Sequence, residues 1–501
     1  MASNALFLSL LFITLTSHTS HALHSFGFDV HHRFSDTVKG ILGVDQFPDK
    51  GTREYYVAMA HRDRVFRGRH LASGYQTPLT FEPTNETYQI GAFGFLHFAN
   101  VSVGTPSLSF LVALDTGSDL FWLPCNCTKC VHGVELSNGQ KIAFNIYDVK
   151  RSSTSESVLC NSSLCEQQRQ CPSSGSTCPY EVDYLSNGTS TTGFLVEDVL
   201  HLITDDDQKK KTDTRVTFGC GQVQTGAFLE GAAPNGLFGL GMDNLSVPSI
   251  LAKEGLISNS FSMCFGSDGF GRITFGDNSS LVQGKTPFNL RASHPTYNIT
   301  VTQIILGENA ADVEFNAIFD SGTSFTYLND PAYTQIANSF GATVKLQRHS
   351  SSVSDDLPFE YCYDLSPNQT VEVPINLTMT GGDTYTVMDP VVTVTGDDIN
   401  LLCLGILKSS NVNIIGQNFM TGYRIVFDRE NMILGWKESD CYGNEFSTLP
   451  INRSHSPAIS PAIAVNPEAK SNDTSQSPNL SFKITPTYAF MMTLFLLLSI
   501  F

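Results

Sequence analysis

The sequence predicts an all-β, bilobal protein with a cleft between two related lobes, and three observations lead to this prediction. Short segments of alternating apolar and polar residues are separated by Gly, Asn, Pro and Ser, which is typical of β-strands joined by turns. A short acidic motif occurs once in each half of the chain. A second motif, apolar residues followed by a glycine, also occurs twice, each time downstream of the acidic motif.

The acidic motif is Asp115-Thr116-Gly117-Ser118 in the first half and Asp320-Ser321-Gly322-Thr323 in the second, 205 residues later. Each copy follows an apolar run, which predicts a buried strand that ends in a tight turn carrying a carboxylate. A buried carboxylate is costly unless it has hydrogen bonds, a partner or a chemical role. Two such groups placed face to face share one proton, so one can act as a base while the other acts as an acid.

The second motif and the remaining pattern complete the predicted architecture. The segments 236–241 (GLFGLG) and 413–417 (NIIGQ) are the paired apolar-apolar-Gly sequences. Four alternating segments predict strands at 96–103, 180–184, 194–203 and 216–220. One helix is predicted at 331–340.

These motifs resemble those of the pepsin-type aspartic proteases, most closely the atypical, nepenthesin-like group of plants. The resemblance implies a pepsin-like fold and an endopeptidase in which a water between Asp115 and Asp320 attacks the peptide bond. It also implies that the hydroxyls of Ser118 and Thr323 bond to these carboxylates, although ordinary turn hydroxyls are the alternative. Thr116, Gly117, Ser321 and Gly322 would support the two loops. Protein or peptide substrates are expected, and neither a metal nor an organic cofactor.

Two aromatic residues are implied at a hairpin flap over the cleft. Trp122 has the family's spacing from Asp115, and simple core packing is its alternative role. Tyr184 takes the place of the flap tyrosine, against Tyr180 or a merely structural Tyr. The family's Gly-Asp after this tyrosine is replaced by Leu-Ser at 185–186, while Asn-Gly at 187–188 still predicts a hairpin tip.

The twelve cysteines predict disulfides in an oxidising compartment. A zinc site at Cys125, Cys127 and Cys130 is the competing interpretation, but no histidine pair stands at ligand spacing. The resemblance implies the pairs Cys362–Cys403 and Cys264–Cys441, and leaves the pairing in the cysteine-rich insertion before the flap open.

The N-terminal region carries two predicted processing segments. Residues 1–22 have the apolar run and small-residue end of a secretory signal peptide; a buried first strand is the alternative. The resemblance implies a propeptide at 23–75 that covers the cleft through basic side chains, against a solvated arm that makes no inhibitory contact. The N-terminal catalytic lobe with the insertion would then span 76–285 and the C-terminal lobe 286–442.

The C-terminal region changes in composition. Residues 443–475 form a Ser/Pro-rich stalk, and 476–501 end in an apolar tail, which together predict a GPI-anchor signal. A short membrane helix is the alternative. The anchor attachment candidates are Asn472, Ser475 and Ser477. Sequons that support secretion lie at Asn85, Asn100, Asn161, Asn187, Asn298 and Asn376.

The composition limits the classes of function. A length of 501 residues with 41% apolar residues suits two large cores, and a net charge of −18 argues against nucleic-acid binding. We therefore expect a monomeric acid protease on the outer leaflet of the plasma membrane or in the cell wall. A catalytically silent, xylanase-inhibitor-like binding protein is the alternative, but such relatives usually have damaged catalytic loops. An adhesion protein on a GPI stalk would leave the paired acids unexplained.

Overall fold

The computed structural model describes residues 25–66 and 97–441, the range in which both acidic motifs lie. Gaps inside these ranges fall at 36, 39–47, 136–140, 166–169, 185–187, 204–210, 231–232, 267–269, 280–281, 290–294, 308, 350–356, 367–368, 370, 389, 396–398 and 411. The predicted signal peptide, stalk and C-terminal tail lie outside the described residues, as do Asn85, Asn187, Asn472, Ser475 and Ser477.

The first half is built mainly from strands, as its alternation predicts. In β8, for example, Tyr180 and Val182 are buried while Glu181 and Asp183 are exposed, which is the period of two that a half-buried strand requires. The strands are β1 Phe26–His32, β2 His97–Val103, β3 Leu108–Asp115, β4 Trp122–Lys129, β5 Gly133–Glu135, β6 Lys141–Ala143, β7 Glu156–Ser157, β8 Pro179–Asp183, β9 Ser190–Ile203, β10 Lys211–Gln224, β11 Leu237–Gly239, β12 Ser260–Phe265 and β13 Phe270–Phe275.

The second half is also built mainly from strands, most of them short. They are β14 Gly284–Pro287, β15 Asn298–Leu306, β16 Asn309–Ala311, β17 Phe315–Phe319, β18 Thr326–Leu328, β19 Cys362–Asp364, β20 Ile375–Met379, β21 Thr384–Val387, β22 Val391–Thr395, β23 Asn400–Leu404, β24 Ile406–Lys408, β25 Ile414–Ile415, β26 Tyr423–Asp428 and β27 Ile433–Glu438. The all-β prediction is confirmed, and the four predicted strands fall in β2, β8, β9 and β10.

Helices are few in the described part of the chain. They are α1 Arg53–Phe66, α2 Val247–Lys253, α3 Ala332–Thr343 and α4 Gln417–Met420, with a 3₁₀ turn at Gly226–Glu230. The predicted helix at 331–340 is α3, which runs three residues further. It buries Ala332, Ile336 and Phe340 on one face, the spacing of an amphipathic helix.

Two large sheets carry the two acidic motifs. The fourteen-stranded sheet has the order β14-β27-β26-β12-β13-β1-β2-β3-β11-β4-β10-β9-β7, with β8 beside β9. The eight-stranded sheet has the order β21-β20-β15-β17-β25-β18-β24, with β16 beside β15. A three-stranded sheet, β19-β23-β22, and the hairpin β5-β6 complete the fold. Since β14, β26 and β27 belong to the first sheet, the second half contributes strands to the sheet of the first.

The N-terminal segment is built into this architecture. Strand β1 pairs with β2 and with β13, and α1 packs on residues of the second half. The alternative of a solvated arm is therefore wrong for β1 and α1. The predicted cover of basic side chains concerns Arg62, Arg64, Arg67 and Arg69, whose side chains lie outside the described part of the structure.

All twelve cysteines are paired, so none of the sulfurs of Cys125, Cys127 and Cys130 is a free thiolate for zinc. The pairs Cys264–Cys441 and Cys362–Cys403 match those implied by the family resemblance. The insertion pairs that the sequence left open are Cys125–Cys220, Cys127–Cys130, Cys160–Cys171 and Cys165–Cys178.

Within the described residues, no helix combines the length and apolar character that crossing a membrane requires.

Candidate active site

Each candidate catalytic acid sits where two parallel strands meet. Asp115 ends β3 and lies opposite Gly239 of β11, and its carbonyl accepts a hydrogen bond of 2.9 Å from the Leu240 N–H. Asp320 follows β17, which pairs in parallel with β25, and its N–H donates to the Ile415 carbonyl over 3.1 Å. The two apolar-apolar-Gly motifs thus run beside the two acidic loops.

Glycine is needed at Gly239 in β11 and at Gly416, directly after β25, because the adjacent acidic loop passes too close for a side chain. A Cβ on Gly239 would lie 2.2 Å from the Asp119 carbonyl oxygen, and one on Gly416 would lie 2.2 Å from that of Phe325. Both contacts are far shorter than any that real Cβ atoms make. The repeated glycine therefore fixes the path of each acidic loop.

Both carboxylates receive the same set of hydrogen bonds. Asp115 Oδ1 accepts from the Gly117 N–H over 2.9 Å and Oδ2 accepts from Ser118 Oγ over 2.7 Å. Asp320 Oδ1 accepts from the Gly322 N–H over 2.8 Å and Oδ2 accepts from Thr323 Oγ1 over 2.6 Å. Donors of this kind fix the plane and orientation of each carboxylate.

The two acids face each other. A Cβ placed on Gly322 would lie 3.0 Å from Oδ1 of Asp115 and 3.0 Å from Oδ1 of Asp320, so these two oxygens cannot be more than twice that distance apart. Gly117 is the counterpart, with 3.1 Å to Asp115 Oδ1 and 3.6 Å to Asp320 Oδ1. The pair of glycines leaves room beside the inner oxygens, where one small molecule such as a water could contact both acids.

A cross-connection ties the two loops together. The Ser321 N–H donates to Thr116 Oγ1 over 3.0 Å, and Thr116 Oγ1 donates to the Phe319 carbonyl over 3.3 Å. The Thr116 N–H donates to Ser321 Oγ over 3.4 Å. All three groups are buried, so the bonds hold the two acids at a fixed separation.

The two predicted flap residues touch. Trp122 is fully buried, and its indole N–H donates to the Tyr184 hydroxyl over 2.9 Å. Both rings pack edge-on against Phe228, with centroids 4.9 Å away. Burial raises the pKa of Tyr184 well above its usual range, and the charge of Asp115 adds to the rise. Trp122 is therefore a core residue that also contacts Tyr184, the predicted flap tyrosine.

Tyr180, the alternative flap tyrosine, has a different setting. Its hydroxyl bonds to Thr191 Oγ1 over 3.0 Å, and its ring lies against Gly219. The tip between Tyr184 and Gly188 lies outside the described residues. Of the two, only Tyr184 has the Trp122 contact expected of a flap tyrosine.

Replacing Tyr184 with phenylalanine is expected to lower kcat/KM about tenfold. The change leaves the buried indole N–H of Trp122 without its acceptor, which costs about 1–3 kcal/mol and loosens the flap base. Steady-state peptide hydrolysis measures the effect. The matched control is Tyr423→Phe, which removes a hydroxyl that donates to the Thr386 carbonyl in the second half. Equal kcat/KM for the two variants would contradict the flap assignment.

A third acid beside the first loop was missed from the sequence. Asp119, which directly follows the first acidic motif, accepts a hydrogen bond of 2.8 Å from the Asp243 N–H through Oδ1. The fit is tight, since a Cβ on Gly241 would lie 2.2 Å from that oxygen. Burial raises the pKa of Asp119 to about 7; the charges of Asp243 and Asp115 add to the rise, while the Asp243 N–H and the Arg429 charge oppose it.

This acid predicts a pH dependence of stability. Because the pKa of Asp119 is about 7 in the folded chain and 3.8 ordinarily, the folded state holds the proton more tightly. The stabilising contribution is complete below pH 3.8 and is lost as the pH rises to about 7. We expect the free energy of unfolding to fall across this range by no more than about 4 kcal/mol from this group.

Denaturant unfolding at several pH values tests this expectation. Asp119→Asn should flatten the dependence between pH 4 and 7, because asparagine has no proton to lose. The control is Asp183→Asn, which changes an exposed acid on β8 and should keep the slope of the unaltered chain. Identical slopes for Asp119→Asn and the unaltered chain would show that Asp119 does not titrate in this range.

Comparison with known families finds matches in both halves of the chain. Residues 97–277 match the model described as xylanase inhibitor N-terminal, and 296–438 match the one described as xylanase inhibitor C-terminal. Aspartyl protease family protein 1 of Arabidopsis thaliana is 56% identical over 483 residues, covering 95% of this chain and 94% of that protein. The chain belongs to the aspartic protease family.

Other relatives of this aspartic protease agree. Aspartic proteinase-like protein 1 of Arabidopsis thaliana is 37% identical and covers 96% of each chain. Aspartic proteinase nepenthesin-2 of Nepenthes gracilis is 27% identical, covering 69% of this chain and 78% of that protein. The predicted resemblance to pepsin-type, nepenthesin-like proteases is thereby confirmed, as is the assignment of the chain as an aspartic-type endopeptidase.

Solved structures agree on the fold of the protease. The crystal structure of basic 7S globulin from soybean has a TM-score of 0.54 and 18% identity, covering 72% of this chain and 95% of that one. At this identity the likeness shows the fold alone, and it confirms the bilobal all-β prediction.

Four of the predicted glycosylation sites lie in the described residues, and their surroundings differ. Asn100 and Asn161 are exposed, which glycosylation requires. Asn298 and Asn376 are half-buried in β15 and β20, and Asn298 Oδ1 accepts a hydrogen bond of 2.9 Å from Asn289. Of these four sequons, Asn100 and Asn161 are thus the better glycosylation candidates.

Proposed function

We propose that this protease is an endopeptidase of the secretory pathway that hydrolyses peptide bonds best at acidic pH, with Asp115 and Asp320 as its catalytic residues. The observation that carries the proposal is the matched pair of loops, in which each carboxylate faces the other and is held by one amide and one hydroxyl. Each motif contains the acid, the glycine and the hydroxyl residue that this chemistry uses.

The chemistry follows from the placement of the two acids. Two carboxylates this close cannot both ionise readily, so they hold one proton between them. The ionised acid takes a proton from a water as that water attacks the scissile carbonyl carbon. The protonated acid donates to the carbonyl oxygen, which gives a tetrahedral diol. The newly protonated acid then donates its proton to the leaving nitrogen while the other carboxylate takes a proton from a hydroxyl of the diol. The C–N bond breaks, a carboxylic acid and an amine leave, and one proton is again shared by the two acids.

The substrate is proposed to lie extended in the cleft beneath the hairpin of β8 and β9. An extended peptide can hydrogen-bond through its backbone to such a hairpin, while side-chain pockets give preference. The base of the hairpin is held by the Tyr184–Trp122 contact, 2.9 Å long. Closure of the hairpin would exclude bulk water from the reacting carbonyl.

The proposal extends to processing and location. A signal peptide at 1–22 would direct the chain to the secretory pathway, and a propeptide at 23–75 would be removed on activation. A GPI anchor at Asn472, Ser475 or Ser477 would hold the enzyme on the outer leaflet of the plasma membrane as a monomer. The six disulfides suit an oxidising compartment. Release from intact cells by a phosphatidylinositol-specific phospholipase tests the anchor.

A catalytically silent binding protein is the second candidate, because both family models carry the description of xylanase inhibitors. The two functions are separated by incubating purified, acid-treated protein with a peptide library, with and without pepstatin. Pepstatin-sensitive cleavage is expected. Correctly folded protein that cleaves nothing after loss of the N-terminal segment would favour the binding protein.

A further inference from the structure

Helix α1 carries a carboxylate that is buried against the second acidic loop. Asp63 is 1% exposed. Its Oδ1 accepts hydrogen bonds from the Ser324 N–H over 3.1 Å and from Ser324 Oγ over 2.7 Å. Its Oδ2 accepts from the Phe325 N–H over 3.2 Å and from the Tyr327 hydroxyl over 3.1 Å. Two amides and two hydroxyls thus converge on one carboxylate, which is the donor set of an anion-binding site.

This donor set belongs to the loop that carries a candidate catalytic acid. Ser324 directly follows Thr323, whose hydroxyl donates to Asp320. The Ser324 carbonyl accepts a hydrogen bond of 3.0 Å from the Asn418 N–H. Asp63 is 261 residues away in sequence, so the contact links the N-terminal segment directly to this loop.

Apolar contacts bring the helix to this position. Tyr56 packs edge-on against Phe359, with ring centroids 5.8 Å apart, and Phe359 packs against Phe325 at 5.1 Å. Met59 and Ala60 are buried in the same cluster. At the start of the helix, the Thr395 N–H donates to the Gly51 carbonyl over 2.8 Å. Burial of the apolar face holds the helix against the second half without fixing its exact position. The Asp63 carboxylate fixes that position, because a buried acid is costly unless it keeps its hydrogen-bond donors.

We propose that Ser324, Phe325 and Tyr327 form a carboxylate-binding site, that Asp63 is its internal ligand, and that this contact restrains the second catalytic loop in the full chain. The restraint rests on the proposed protease function, while the site does not. The segment was expected to cover the cleft through basic side chains, whereas the side chain buried in this contact is an acid. Departure of α1 would leave the four donors open to a carboxylate of a peptide.

Hydrogen exchange of the full-length chain tests the site without any need for activity. In Asp63→Asn the new side-chain NH₂ group is a donor and cannot accept the hydrogen bonds that one carboxylate oxygen accepted. We therefore expect the backbone amides of Ser324 and Phe325 to exchange about tenfold faster or more. The matched control is Glu54→Gln, which makes the same chemical change at an exposed position of α1 and should exchange like the unaltered chain.

A second variant keeps the test decisive if Asp63→Asn does not fold. Tyr327→Phe removes one of the four donors and leaves the acid in place, so a smaller rise in exchange, confined to the same loop, is expected. Unchanged exchange in folded Asp63→Asn, or in Tyr327→Phe if the first variant is unfolded, overturns the site.

Activation kinetics of the same proteins test the restraint. After acidification, full-length Asp63→Asn should reach its maximal hydrolysis rate several-fold sooner than Glu54→Gln. Equal activation times together with faster exchange would keep the site and overturn the restraint. Absence of hydrolysis in every variant would count against the proposed function, and the exchange result would still decide the site.

Discussion

Asp115→Asn is expected to lower kcat for peptide hydrolysis about 10⁴-fold, the upper range for loss of a general acid or base. Asparagine has the same shape, and its carbonyl oxygen can still accept from the Ser118 hydroxyl or the Gly117 N–H. What it cannot do is share a proton with Asp320. The loss should therefore appear in kcat, with KM little changed and the fold intact.

The matched control is Asp312→Asn, the same chemical change on an exposed acid between β16 and β17. It should hydrolyse the test peptide at the rate of the unaltered protein. Thermal unfolding of both variants shows whether the fold is retained. An Asp115→Asn protein that kept more than about a tenth of the activity would remove Asp115 from the mechanism.

Gly239→Ala is expected to cause the second largest loss, about 10²-fold or more in kcat/KM, with a fall in melting temperature. The added Cβ would lie 2.2 Å from the Asp119 carbonyl oxygen and 2.3 Å from its carbonyl carbon. Both are backbone atoms, which cannot rotate away as a side chain can. The loop that carries Asp115 must then shift, and misplacing a catalytic group by about 1 Å costs about 10²-fold in rate.

Gly175→Ala provides the comparison for this prediction. A Cβ at position 175 would meet nothing within 4 Å, so the same substitution should leave activity and melting temperature unchanged. If Gly239→Ala matched that control, the close passage of β11 beside the first loop would not constrain the acid.

The features that the sequence predicts well are those encoded locally and repeated. Asp115 and Asp320 each combine an apolar run, an acid and a Gly turn, and the repeat in the second half makes chance improbable. The helix predicted at 331–340 starts within one residue of α3.

The features that the sequence does not predict depend on distant partners. Asp63 looks like one acid among arginines, and only folding brings Ser324, Phe325 and Tyr327 to it across 261 residues. Helix α1 was missed because its many charged residues hide the apolar face around Tyr56 and Met59. Asp119 directly follows the first acidic motif, but nothing in the local sequence indicates that Asp243 would approach it.

The pH dependence of kcat/KM, measured with and without pepstatin after removal of the N-terminal segment, tests the central claim most directly. A shared proton predicts a bell-shaped, pepstatin-sensitive profile with its maximum below neutrality, since the dyad works only with one acid ionised and one protonated. A rate that stayed maximal above pH 7 would contradict the two-carboxylate mechanism.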